Sequence, residues 1–132
     1  MRITADTNLL LRVAIRDDRS QCELAEKELA GADLVAVPVS ALCEFVWVLS
    51  RAYKRPAGDI ARSIRDLIGS ANVSTDREAV ELGLAFLEAG GDFADGVVVH
   101  EGLWLGGEEF VSFDKQAVKL AIAQGQKARL LS

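Results

Sequence analysis

Apolar positions along the chain follow two alternating rhythms. Short runs such as Leu34-Val35-Ala36-Val37 carry apolar residues at every position, the pattern of a parallel strand covered on both faces. Between them, apolar residues recur three and four positions apart, the spacing of one helical face. Residues 2–6 read as a strand, with Ile3 and Ala5 apolar, ending at Asp6. The run Leu9 to Ala14 is too short to assign. Residues 20–30 read as a helix with Cys22, Ala25 and Leu29 on one face and Gly31 as its stop. Ser40 looks like the N-cap of a helix carrying Leu42, Phe45, Val46, Leu49 and Tyr53. A further helix runs from about 57 to 68, burying Ile60, Ile64, Leu67 and Ile68, and Val73 belongs to a minimal strand. Asp76 precedes a helix with Val80, Leu84 and Leu87 that stops at Gly90-Gly91. Residues 94–105 read as helix, 110–113 as a strand ending at Asp114, 115–124 as helix, and 128–131 as a last strand.

Strands and helices thus alternate from end to end. This predicts an α/β fold with a central, mainly parallel sheet between helical layers. In such sheets ligands bind at the carboxyl ends of the strands, where two of the predicted strands carry an aspartate. The two prolines, Pro38 and Pro56, both sit where an element boundary is plausible. No linker, repeat or low-complexity run divides the sequence, so the 132 residues are expected to form a single domain.

Composition adds constraints. Half the residues are hydrophobic, enough for one packed core. The formal net charge is -5, which argues against passive attraction to nucleic-acid phosphates. Two cysteines, Cys22 and Cys43, are too few for a disulfide framework and read as reduced thiols in a cytoplasmic protein. The N-terminus lacks an apolar signal region, and no stretch approaches the roughly 20 apolar residues that span a bilayer. The single histidine, His100, has no Cys or His cluster around it, which disfavours a zinc site or a histidine-based hydrolase. It reads as a surface or interface residue.

Four carboxylates stand out because their neighbours are apolar: Asp6, Glu44, Asp95 and Asp114. An ionised carboxylate near a core is costly unless paired or bound to a cation. Several together call for compensation, and hard oxygen ligands suit magnesium or manganese. Such a cluster is what metal-assisted phosphodiester hydrolysis requires. Taken singly, Asp6 suits a cap of the turn after its strand, Asp92 and Asp114 suit helix caps, and Glu44 suits an exposed position on an otherwise buried helix. Setting aside the four acids takes the formal charge from -5 to -1, so most of the acidic excess fits one pocket.

With these residues in this order, the chain resembles PIN-domain nucleases, and more specifically VapC-like toxins of toxin–antitoxin pairs. The likeness covers essentially the whole length. It rests on Asp6 followed by Thr7-Asn8, Glu44 on a helix after a strand, Asp95 within Asp92-Phe93-Ala94-Asp95, and Asp114 after Ser112-Phe113. The resemblance implies a three-layer α/β/α fold and an Mg2+- or Mn2+-dependent endoribonuclease. It implies that Asp6, Glu44, Asp95 and Asp114 hold the metal, with Asp92 as an accessory acid. It also implies that the hydroxyls of Thr7 and Ser112 orient a carboxylate or a metal-bound water. The implied partners are an RNA substrate, a second copy of the chain in a homodimer and a small cognate antitoxin. One departure is Gly96, which follows Asp95 where small apolar residues are usual and which weakens the helix by up to about 1 kcal/mol relative to Ala.

Arg51, Lys54 and Arg55 belong to a basic stretch that suits guidance of RNA phosphates or, equally, a solvated helix pair. Trp47 and Trp104 are candidates for a protein interface. Two rival readings remain. One is a PIN-like module that binds RNA or protein without cutting. The other is an aspartate-based phosphoryl-transfer domain, for which Asn8 stands where a second aspartate would be wanted and no central strand ends in a phosphorylatable aspartate.

Overall fold

A computed structural model describes all 132 residues. The elements follow the order β1 (Arg2–Thr4), α1 (Thr7–Ile15), α2 (Arg19–Gly31), β2 (Leu34–Ala36), α3 (Val39–Arg51), α4 (Ala57–Ile68), β3 (Val73–Ser74), α5 (Arg77–Glu88), α6 (Phe93–Trp104), β4 (Phe110–Ser112), α7 (Lys115–Ala123) and β5 (Ala128–Leu130). Every strand pairing is parallel. The α/β class expected from the alternation is therefore the class observed. No helix is long and apolar enough to cross a membrane.

The chain forms two compact units, Met1–Asp76 and Arg77–Ser132. In the first, β2 is the middle strand of the order β1-β2-β3, with Ile3 opposite Val35 and Val35 opposite Val73. Val35 and Val37 are fully or almost fully buried, as an all-apolar strand requires. Leu42 of α3 and Ile60 and Ile64 of α4 are likewise buried. In the second unit β4 pairs with β5, Phe110 opposite Ala128. Its core gathers Phe86, Val99 and Ala121, against which Leu82, Phe110, Leu120 and Ala128 pack.

Several local expectations need correction. The unassigned run after Asp6 is the helix α1, which buries Thr7, Leu10 and Leu11 on one face. It ends at Arg16, whose φ of 58° places it in the left-handed region. Ser40 is not the cap of α3. Pro38 takes that place, and its ring holds φ at -63°, already suited to entering a helix. Pro56 does the same for α4, whose limits are those the apolar spacing predicts. Tyr53 lies beyond the end of α3. Asp6 and Asp114 are not the last residues of strands. Each stands two residues beyond one and caps the helix that follows. His100 is buried rather than on the surface, with Nε2 4.0 Å from Oε2 of Glu78.

Candidate active site

In the first unit, the candidate acids come from the turn after β1 and from α3. Asp6 accepts a hydrogen bond from the Leu9 N–H at Oδ1, 3.1 Å, closing the first turn of α1. A carboxylate offers about four lone-pair sites on two oxygens, so the cap leaves acceptor capacity for another partner. The adjacent Thr7 is buried, and its hydroxyl donates to Oε2 of Glu44 at 3.2 Å. The carbonyl of Ala41 lies 3.4 Å from the same hydroxyl. Glu44 itself is exposed between the buried faces of Leu42 and Phe45. The structure thus ties two of the singled-out residues together, 37 positions apart in the chain. Arg51, Lys54 and Arg55 are all exposed at and beyond the end of α3. The backbone turns there through Lys54 at a φ of 54°.

In the second unit two acids act on a third. Asp92 caps α6 through the Ala94 N–H at 3.1 Å, and Asp114 caps α7 through the Ala117 N–H at 3.1 Å. Asp95 sits in the first turn of α6 and is half-buried. Burial pushes its carboxyl above the usual carboxylate range, and the negative charges of Asp92 and Asp114 push it the same way. The Ser112 hydroxyl accepts from the backbone N–H of Asp114 at 3.0 Å. It therefore holds the turn that carries the acid rather than the carboxylate itself.

Two features of this unit were not singled out by sequence reasoning. Gln116, in the first turn of α7, donates from Nε2 to the Gly90 carbonyl at 3.0 Å. That bond links the turn bearing Asp114 to the turn bearing Asp92. The second feature is a close crossing of α5 and α6. A Cβ on Gly96 would stand 2.5 Å from the Leu82 carbonyl oxygen and 2.8 Å from Gly83 Cα, while one on Gly83 would meet the Phe93 ring. Gly96 is thus a spacer that lets two backbones touch, and its neighbour Asp95 is placed by that contact. An isolated glycine inside an apolar helical run was the available signal.

All candidate donors are carboxylate oxygens, which match the hard cations Mg2+ and Mn2+. The repulsion of Asp95 by Asp92 and Asp114 is the kind a bound cation relieves. No three His, Cys, Asp or Glu side chains stand close enough together to form a ready-made cation cage.

The profile of the PIN domain family matches residues 3–123. The chain belongs to the PIN domain family. The matched span of this PIN domain runs from β1 through the last residue of α7 and contains all the acids described above. The seven helices and parallel strands fit the three-layer α/β/α architecture of that fold, which is generally a nuclease fold. PIN nucleases typically use divalent metals. Comparison with curated proteins returns no match.

Proposed function

We propose that this PIN domain is a divalent-metal-dependent endoribonuclease and serves as the VapC-like toxin of a toxin–antitoxin pair in the cytoplasm. The observation that carries the reading is Asp95, half-buried in the first turn of α6, its carboxyl pushed up by burial and by the like charges of Asp92 and Asp114. A fold does not hold such an arrangement without cost. Asp6, Glu44, Asp95 and Asp114 are the residues assigned to hold Mg2+ or Mn2+. When bound, such an ion supplies Lewis-acid polarisation of the phosphate and a water of lowered pKa for in-line attack.

The chain's own residues do the positioning. Thr7 fixes Glu44 through its hydroxyl, so the carboxylate is oriented before a ligand arrives. Asp92 and Gln116 hold the turns on either side of Asp95 and Asp114. Arg51, Lys54 and Arg55 attract the RNA backbone. Arg51 lies seven helical positions after Glu44, about 10 Å along α3 at 1.5 Å per residue. A small antitoxin and a second copy of the chain are the proposed protein partners. Trp47 and Trp104, 60% and 75% exposed, are the side chains offered to them.

The test is cleavage of a mixed RNA with Mg2+ or Mn2+, repeated in chelator and with Asp95→Asn. The expected result is cutting only in the first condition. Full activity in chelator or in the variant overturns the metal-dependent reading. Co-expression with the product of the neighbouring gene tests the toxin role, and a monomer that ignores that product counts against it.

A further inference from the structure

A groove of about 500 Å³ opens beside Asp6 between α1 and α2. Its α2 wall is one helical face, on which Gln21, Leu24 and Glu28 follow at spacings of three and four. Its α1 wall carries Asn8, Leu9 and Arg12. The volume lies within the range of roughly 300–1,000 Å³ that accepts small organic ligands.

The wall chemistry is unusual for a merely solvated helix pair. Leu24 is 65% exposed on a helix otherwise rich in charge, and it lines the same groove as Leu9. Two leucines lining an open slot offer an aliphatic surface for a flat ring. Asn8 and Gln21 add two amides, each with donors and an acceptor. Glu28, when ionised, accepts only. Arg12 is kept at the groove by Asp17, whose carboxylate lies 3.2 Å from its guanidinium, and offers a cation to a neighbouring phosphate.

Flat ring, hydrogen-bonding edge and adjacent phosphate together describe one nucleotide. We propose that this groove seats the base of the nucleotide next to the scissile phosphate and so sets the cleavage sequence. The inference rests on the nuclease reading, because Asp6, which lines the groove, is what relates it to the reacting phosphate. Glu28 favours bases that carry an exocyclic amine, which it accepts from. Uracil alone among the four RNA bases has none, so it is the base disfavoured at this position.

The experiment has two arms. In the first, cytidine 5′-monophosphate and uridine 5′-monophosphate are titrated into isotope-labelled protein and followed by NMR. Cytidine monophosphate is expected to move the side-chain amide signals of Asn8 and Gln21 and the methyl signals of Leu9 and Leu24. Uridine monophosphate is expected to bind at least about fivefold more weakly, and Glu28→Gln to erase that difference, as loss of a contact worth about 1 kcal/mol implies. In the second arm, cut ends from a randomised RNA are sequenced. Wild type is expected to exclude uracil at one position beside the cut, and Glu28→Gln or Gln21→Ala to relax that exclusion about tenfold. Amide signals that stay still under cytidine monophosphate, or an unchanged preference in Glu28→Gln, overturn the proposal. If no RNA is cut by the wild type, the nuclease reading fails, and the titration still decides whether the groove takes a base.

Discussion

Replacing Gly96 by alanine sets two effects of known size against each other. Alanine is favoured over glycine inside a helix by about 1 kcal/mol. Taken alone, that stabilises α6. The new Cβ, however, falls 2.5 Å from the Leu82 carbonyl oxygen, 2.8 Å from Gly83 Cα and 2.9 Å from Gly83 N. Ordinary C···O contacts are about 3.3 Å or longer, so the helices must separate by about 0.8 Å. All three atoms are backbone, so no side-chain rotation relieves the clash. Overpacking of this kind costs about 1–3 kcal/mol, and a rigid backbone neighbour puts Gly96 at the upper end. The net expectation is a loss of about 2 kcal/mol. With an unfolding entropy of about 2.1 cal/mol/K per residue over 132 residues, each kcal/mol shifts Tm by about 3.6 °C, so the drop is about 7 °C. Gly102 in the same helix is the internal control, because nothing lies within 4 Å of a Cβ placed there. Gly102→Ala is expected to raise Tm by up to about 4 °C through propensity alone. Thermal melts of the two variants followed by circular dichroism, alongside RNA cleavage, check both. A Gly96→Ala protein as stable as Gly102→Ala refutes the spacer argument. Cleavage is expected to fall in Gly96→Ala even well below its Tm, since Asp95 moves with the helix.

Asp95→Asn is expected to stabilise the metal-free protein at neutral pH. A raised carboxyl pKa means the fold binds that proton more tightly than the unfolded chain does. The stability it contributes is therefore present at low pH and lost as pH rises from the ordinary carboxylate range through the elevated value. Urea titrations from pH 3.5 to 7 should show wild type and variant converging in acid and diverging towards neutrality, while added Mg2+ raises the stability of wild type more than that of the variant. Thr7→Val keeps the buried volume but removes the hydroxyl that holds Glu44, so metal affinity read by calorimetry should fall about 10- to 100-fold with stability changed by no more than about 1 kcal/mol. Burial and the adjacent Glu26 push the Cys22 thiol up, and only a thiolate reacts readily, so alkylation followed by mass spectrometry should leave Cys22 unlabelled in the native protein and label it in urea.

What the residues revealed in advance depended on whether the deciding interaction was local. Helix α4 was readable because Ile60, Ile64 and Ile68 repeat at a spacing of four behind Pro56. Helix α1 was not, because Arg12 interrupts its short apolar run. Its limits are set by the Asp6 cap and by the left-handed turn at Arg16. At the start of α3 two local cues competed, and the fixed φ of Pro38 prevailed over the hydroxyl of Ser40. Burial of His100 was hidden because it depends on what packs over α6, not on the residues beside it. The same holds for Gly96, whose penalty as a helix residue was visible but whose partner, Gly83, was not. The acids were legible as positions in a family pattern. The bond between Thr7 and Glu44 was not, because only tertiary packing of α1 on α3 brings them within reach.

Asp6, Asp92 and Asp114 each end the frayed start of a helix while standing among the candidate acids. Asparagine caps a helix about as well as aspartate but offers a cation no charge. One transition in the codon converts either residue to the other. If Asp6 and Asp114 hold the metal as proposed, inactive descendants of this protein lie a single base change away at two separate positions, and each should reach a normal cellular level instead of being cleared as misfolded. If the chain is harmful to its host, selection has an easy exit here: folded, silent copies, still able to occupy whatever partner the active form binds.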